Sequence, residues 1–359
     1  MRLLFLGGTG NISTACVERA AEAGHEVTVL NRGRSHSRVR CAVNVVTGDR
    51  DDGVFLRRVA EATRFDAVVD FIAFRPEQVE TAIGAFDGRV GQYAFISSTS
   101  AYEKPVVRHV ITEETPLRNP FWEYARQKIA CEERLWRARQ QSGFPVTVVR
   151  PSYTYGETWI PSGFGGQDYT VVDRMRGGRP IVCHGDGTSL WVMTAASDFA
   201  AGLVGLLGQD GARGEAFHIT SDEVLTWQAI YRTIAAAAGA ELKMVHAPSE
   251  LIAAMYPERG GSLLGDKAWS VVFDNTKICR FVPEYRPRVT FAEGMARSIA
   301  WFDADPARRT VNEESGRRID RVIAAQGRAA PTRRLRRQSS AADASPPPGT
   351  RTRRRVGGR

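Results

Sequence analysis

The amino-acid sequence predicts an α/β fold, a doubly wound parallel sheet carrying a smaller C-terminal lobe, and three observations lead to it. Short apolar runs alternate with amphipathic stretches through the first half, the pattern of strand–helix–strand units that bury a parallel sheet between helices. A glycine cluster, Gly7-Gly8-Thr9-Gly10, stands directly between the first strand and the first helix. After Pro151 the texture turns to Gly, Pro, Trp and Tyr over 159–166 before strands and helices resume. The expected strands are 2–6, 26–30, 43–46, 66–71, 92–97 and 145–149, and the expected helices 13–23, 121–140, 198–207 and 227–238. Residues 1–156 are expected to form mainly the sheet domain and 157–306 an interwoven part with the lobe. A terminal helix is expected over 307–327 and a disordered arginine-rich tail over 328–359.

Composition narrows the function classes. With 359 residues and 43% hydrophobic content the chain has ample material for a large core. The net charge of +9 suggests nucleic acid until its location is considered: residues 307–359 hold 15 Arg against four acids, and the remainder is slightly acidic. Polyanion contact is therefore expected, if anywhere, through the tail. The five cysteines (Cys16, Cys41, Cys131, Cys183, Cys279) have neither metal-ligand nor disulfide-framework spacing, so no metal is expected. The apolar start is too short for a signal core and no later run reaches bilayer length, so a cytoplasmic protein without membrane contact is expected.

The glycine cluster opens a helix straight after a strand, the context of a dinucleotide-binding (Rossmann) turn. Small residues let the backbone approach a pyrophosphate whose charge rests on the helix N-terminus. Gly7, Thr9, Gly10, Asn11 and Ile12 are the expected contacts, with Ser13 at a position that usually carries Gly or Ala. At the end of the second strand, where an acid selects NAD and an arginine NADP, the chain reads Asn31-Arg32-Gly33-Arg34. The missing acid leans to NADP, while Asn31 still suits a ribose, so NAD or NADP remains open. Asp49 is expected at the adenine edge and Ala73 along the cofactor.

Tyr124 and Lys128 lie four residues apart, hence on one helix face, where a lysine ammonium is expected to lower the phenol pKa toward a working general base. The same lysine is expected to hold the nicotinamide ribose. Upstream, a strand runs into Ser97-Ser98-Thr99-Ser100, placing a hydroxyl at the crevice where open α/β sheets bind ligands.

With these motifs in order, the chain over roughly 1–302 resembles the extended short-chain dehydrogenase/reductase superfamily, in its NAD-dependent epimerase/dehydratase branch. Further echoes are the run from Val149 to Gly156, Gly185-Asp186-Gly187, the run from Phe273 to Lys277, and the stretch from Thr290 to Gly294 followed by Trp301. The resemblance implies Ser98, Tyr124 and Lys128 as catalytic residues and a homodimer. Two departures stand out. Thr99-Ser100 occupy the place of an eliminating Asp-Glu pair, which disfavours dehydration. Trp191 stands near the place of a diphosphate-clamping arginine, where it is expected to stack on a base or sugar or fill the core. Thr99, Ser100, Tyr102, Glu103, Tyr153, His184 and Trp191 are the candidate substrate residues, Tyr102 and Glu103 being favoured over His184 as a second proton carrier. The first expectation is an epimerase that inverts a sugar hydroxyl carbon through a transient ketone on a sugar nucleotide or nucleoside-like molecule. The alternatives are a net NADP-dependent reductase or dehydrogenase of a sugar-like ketone, and a regulatory, nucleic-acid-binding relative.

Overall fold

A computed structural model describes residues 1–33, 38–164 and 167–329 of the chain. Arg34 and residues 330–359 of the arginine-rich tail lie outside the described residues. In the N-terminal half the order is β1 (Arg2–Leu6), α1 (Ser13–Glu22), β2 (Glu26–Asn31), β3 (Asn44–Thr47), α2 (Gly53–Ala62), β4 (Phe65–Asp70), α3 (Pro76–Phe86) and β5 (Val90–Ile96). There follow a two-residue β6 (Val110–Ile111), the long α4 (Glu123–Ser142), β7 (Val146–Pro151) and β8 (Tyr153–Tyr155). The C-terminal half contributes α5 (Thr170–Arg176), β9 (Ile181–His184), β10 (Leu190–Ala195), α6 (Ala196–Leu206) and β11 (Ala216–Ile219). Beyond these come β12 (Val224–Thr226), α7 (Trp227–Ala237), β13 (Met244–Ala247), α8 (Ser249–Met255), α9 (Pro257–Ser262) and β14 (Val272–Phe273). The chain then runs through α10 (Thr276–Phe281), α11 (Phe291–Asp303) and α12 (Glu313–Ala329).

The main sheet has seven parallel strands in the order β11-β7-β5-β4-β1-β2-β3. Its central strands read as unbroken apolar runs, because helices cover both faces. Cys16 and Val17 of α1 pack with Phe199 and Leu203 of α6 on one face. Leu56 of α2, Val79 of α3, and Cys131 and Leu135 of α4 form the core on the other. The strand order reverses beside β1, so the crevice for a ligand opens at the carboxyl ends of β1, β4 and β5.

The seventh strand, β11, comes from the far side of the lobe and completes the sheet beside β7. Four residues flanked by Glu215 and polar Thr220 leave too short an apolar run to identify from sequence. The lobe is a separate core of small sheets and helices, centred on Trp191, Trp227, Tyr231 and Phe273. Helix α12 closes it, with Ile319 and Val322 buried against Val182, Ala247 and Ile252. Among the described residues no helix is long and apolar enough to cross a membrane.

Candidate active site

The glycine turn is built for close approach. Gly7 has φ +76°, and a Cβ there would lie 2.7 Å from Ile72 Cγ2. A Cβ on Gly8 would lie 2.7 Å from Val29 Cγ1, so this glycine lets α1 sit against β2. Ser13 does not loosen this packing; its buried hydroxyl accepts a hydrogen bond from the Gly10 N–H at 2.9 Å and braces the turn. Helix α1 has no side-chain cap and no acid in its first turn. Its leading amides therefore remain for an anion, aided by the helix dipole. Gly7→Ala combines a left-handed backbone with the Ile72 clash, and is expected to cost about 1–3 kcal/mol by urea unfolding.

Asn11 differs from its expected use. Its amide donates to Thr154 O at 3.0 Å and accepts from Gly156 N–H at 2.8 Å, stapling the glycine turn to the end of β8. What Asn11 offers the cleft is its backbone. Thr9, Gly10, Ile12, Asn31, Arg32 and Asp49 also line this cleft, whose volume is about 700 Å³, and Tyr124 and Lys128 stand at its other end. Asn31 Oδ1 accepts from the Gly33 N–H at 2.8 Å, and Asp49 Oδ1 from the Asp51 N–H at 3.0 Å. Arg32 has no hydrogen bond or ion pair among the described residues.

Beneath the cleft lies a buried group that spacing does not announce. Asp70, at the end of β4, accepts from the Ile72 and Ala73 N–H groups at 3.0 Å, from Arg50 Nη2 at 2.5 Å and from the Tyr93 hydroxyl at 2.6 Å. It holds together the turns after β3 and β4 that border the cleft.

The reactive end is organised by one face of α4. Tyr124, Lys128 and Glu132 recur at four-residue intervals and point at the carboxyl ends of β5 and β7. Lys128 is 1% exposed, and its ammonium donates to Ala73 O and Ile96 O, both at 2.7 Å, under the rings of Phe74 and Phe95. Three donors less two leave one for a ligand. Burial lowers the Lys128 pKa to about 8. Ala73 thus serves the site through its carbonyl, and its side chain is buried.

Tyr124 corrects an expectation. Burial raises its pKa to about 12, the Ser98 hydroxyl drawing it back only in part. The Lys128 ammonium, with two of its three donors on carbonyls, lies 5.9 Å from the Tyr124 ring, and the loss of water around the phenol outweighs it. The resting phenol is protonated. Ser98 caps a one-turn 3₁₀ helix, Thr99–Ala101, accepting from the Ser100 N–H at 3.2 Å, with the two serine hydroxyls 2.9 Å apart.

Behind this front Glu132, fully buried, accepts from Ser97 Oγ at 2.5 Å and from Arg150 Nε and Nη2 at 3.0 and 2.6 Å. Arg150 Nη1 donates to the Tyr102 hydroxyl at 3.2 Å, which donates to His218 Nδ1 at 3.1 Å; His218 Nε2 donates to Asp274 O. Tyr102 is therefore a strut, its phenol pushed far up by burial. Glu103 pairs with Arg118 at 3.0 Å. The expectation that Tyr102 or Glu103 carries a second proton gives way to these partners. His184 also turns inward, Nε2 donating to Lys267 O at 3.1 Å, and burial lowers its pKa to about 4. Trp191 packs on Trp227 with centroids 5.6 Å apart, and its indole N–H has no partner among the described residues. Tyr153 sits between Trp159 and Trp227.

A family model described as the NAD-dependent epimerase/dehydratase family matches residues 3–220. The chain belongs to that family. It is an enzyme of the extended short-chain dehydrogenase type. Among curated proteins it is similar to 2'-dehydrokanamycin reductase of Streptomyces kanamyceticus, 29% identical over 80% of this chain and 81% of that one. It is also similar to a chloroplast stem-loop binding protein of 41 kDa from Arabidopsis thaliana, 24% identical over 90% of this chain and 84% of that one. Among solved structures, UDP-glucose 4-epimerase of Thermotoga maritima superposes with a TM-score of 0.70 at 18% identity, over 85% of this chain and 99% of that one, which supports the fold.

The family's nicotinamide cofactor fits the residues present. The open glycine turn, the uncapped start of α1 and the spare Lys128 donor are the features a dinucleotide needs, and the cleft joins them. The turn over Gly7–Gly10 would give the pyrophosphate room and the Asn11 and Ile12 backbone would face it, with Asn31 and Arg32 at the adenosine ribose and Lys128 at the nicotinamide ribose. Sequence reasoning missed Asp70, Arg50, Glu132 and Arg150. For Glu132 a signal existed, since it continues the four-residue interval of Tyr124 and Lys128.

Proposed function

We propose that the protein is an NADPH-dependent reductase of a ketone on a sugar-like ring, with Tyr124 as proton donor. The observation that carries this reading is the position of the Tyr124 phenol beside Ser98 at the end of the cofactor cleft, protonated at rest and moved further from ionisation by burial. Reduction needs a donor at that atom, whereas alcohol oxidation needs a base. The other end of the cleft supports it too: β2 ends without an acid, and Arg32 is free to meet a 2′-phosphate.

A nicotinamide bound in the cleft supplies the hydride. Ser98 Oγ holds the substrate carbonyl oxygen through a hydrogen bond, its own lone pair taken up by the Ser100 hydroxyl. Tyr124 passes its proton to that oxygen as negative charge develops there, and the nearby Lys128 ammonium stabilises the phenolate left behind. Solvent then returns a proton to Tyr124. The name of the Streptomyces relative is consistent with this direction.

Epimerisation is the second reading, favoured by UDP-glucose 4-epimerase of Lactobacillus helveticus, 27% identical over 42% of this chain and 51% of that one. It requires the phenolate first and then a keto intermediate that turns its other face to the nicotinamide. Incubating the protein with NADPH and 2'-dehydrokanamycin, or a panel of keto sugars, tests the choice. One NADPH oxidised per alcohol formed supports reduction; an isomer formed with no net cofactor consumption overturns it. Arg32→Glu is expected to lower the NADPH-over-NADH preference about 10- to 100-fold in kcat/KM, since an attractive contact with the 2′-phosphate becomes a repulsive one.

A further inference from the structure

Two buried lysines and a half-buried aspartate lie in the lobe behind Ser98 with almost nothing to satisfy them. Lys104, just past the Thr99–Ala101 turn, is 1% exposed, and Lys267, ending the π-helical turn Leu263–Lys267, is 8% exposed. Asp266 precedes it. The Lys104 ammonium reaches only Tyr102 O at 3.4 Å, and that of Lys267 only Ser262 O at 3.5 Å, over the rings of Trp122 and Tyr153. The Asp266 carboxylate takes part in no hydrogen bond and no ion pair among the described residues. Burial pushes its pKa up, and Lys267 and Lys104 draw it back through space. Charges buried without bonds oppose folding, and such an arrangement persists where a ligand completes it.

The location points to the substrate. Lys104 and Asp266 border a void of about 10 Å³, enough for one water, shared with Thr99, Ser152, Tyr153 and the partnerless Trp191 indole. One amide spans its two sides: Asn119 Nδ2 donates to Ser100 O at 2.8 Å and to Gly265 O at 2.7 Å, tying the catalytic turn to the π-helical turn. π-helical turns are frequent at functional sites. Thr99, the residue after Ser98, lines the void and so sets it beside the catalytic turn. An anionic substituent would be repelled by Asp266, and an ammonium by two lysines. A hydroxyl both donates and accepts, and it is the size of the water it displaces.

We infer that Lys104 and Asp266 form a specificity subsite for a single ring hydroxyl of the substrate, which donates to Asp266 and accepts from Lys104, with Lys267 adding positive charge behind Asp266. This rests on the reading that a sugar-like ring reacts at Ser98 and Tyr124. A site built to bond a hydroxyl rejects the analogue lacking it far more strongly than an apolar pocket discriminates a methylene.

The experiment has two arms, neither of which requires turnover. In the first, thermal unfolding of the full chain is compared with Asp266→Asn, Lys104→Met and the double variant. The expected result is a Tm unchanged or raised, because a buried unpaired lysine and a half-buried unpaired carboxylate have lost their charges; a fall of more than about 5 °C in the double variant makes the cluster structural and overturns the subsite. In the second, the NADPH-bound protein is titrated with methyl β-D-glucoside and its 2-, 3-, 4- and 6-deoxy derivatives, followed by tryptophan fluorescence. Binding of the parent, loss of about tenfold or more in affinity for one deoxy derivative, and disappearance of that preference in Asp266→Asn support the subsite. No binding of the parent, equal affinities for all five, or a preference kept by Asp266→Asn overturns it. Failure of the reductase reading shows separately, as absence of NADPH oxidation with any keto sugar.

Discussion

Tyr124→Phe is expected to lower kcat for ketone reduction by about 10³-fold while leaving NADPH affinity and Tm almost unchanged. General acid catalysis by a positioned side chain is worth about 10²–10⁴-fold, and here the same proton also neutralises the developing alkoxide. The ring itself is kept, so its contacts with Phe74 and Trp122 survive. Stopped-flow NADPH oxidation under single-turnover conditions, beside a fluorescence titration of NADPH, checks both halves. The pH profile follows from the same groups. Tyr124 stays protonated to about 12, so it limits reduction nowhere in the accessible range. Lys128, lowered by burial to about 8, loses its charge above that pH, and with it the means to stabilise the phenolate. The reductive kcat/KM is therefore expected to hold up to about pH 8 and decline above it, and Lys128→Met, already lacking the charge, is expected to have low activity without that decline.

Glu132→Ala is expected to destabilise the protein by about 3–5 kcal/mol, the cost of leaving a buried charge unpaired. Arg150 is buried with two hydrogen bonds to this carboxylate, and the Ser97 hydroxyl loses its acceptor as well. The effect reaches the site, because Ser97 precedes Ser98 and Glu132 lies one turn beyond Lys128 on α4. Urea unfolding measures the loss. Glu132→Gln, which keeps the shape and one acceptor, is expected to lose less than the alanine variant.

The parts of the site legible in the sequence are those set by local spacing. The glycine turn between β1 and α1, the four-residue interval of Tyr124 and Lys128, and the hydroxyl run after β5 each depend on neighbours within a few residues. Six of the seven strands of the main sheet were legible for the same reason, since apolar runs bounded by turns need no tertiary information. Helix α4 starts at Glu123 rather than 121, because Asn119 and Pro120 hold the approach: Asn119 accepts from the Phe121 N–H, and Arg126 Nη1 donates to Pro120 O. What escaped is set by long-range packing. Asp70 meets Arg50 and Tyr93, Glu132 meets Arg150, and Lys104 faces Asp266 across more than a hundred residues of chain. Burial likewise has no local signature. The four-residue interval correctly places Lys128 near Tyr124, yet the direction of the phenol pKa depends on how much water the lobe excludes. Tyr102 and Glu103 follow Ser98 closely, but Arg150, His218 and Arg118 claim them from elsewhere.

The central claim is that Tyr124 serves a net reduction. Its most direct test is a reaction of the full chain with NADPH carrying deuterium at the transferable position of the nicotinamide, a keto sugar and normal water, followed by mass spectrometry of the product. The expected result is one deuterium per molecule of alcohol, with an equal amount of NADP released. An isomerised sugar lacking deuterium, made while the cofactor stays bound and unchanged, would contradict it.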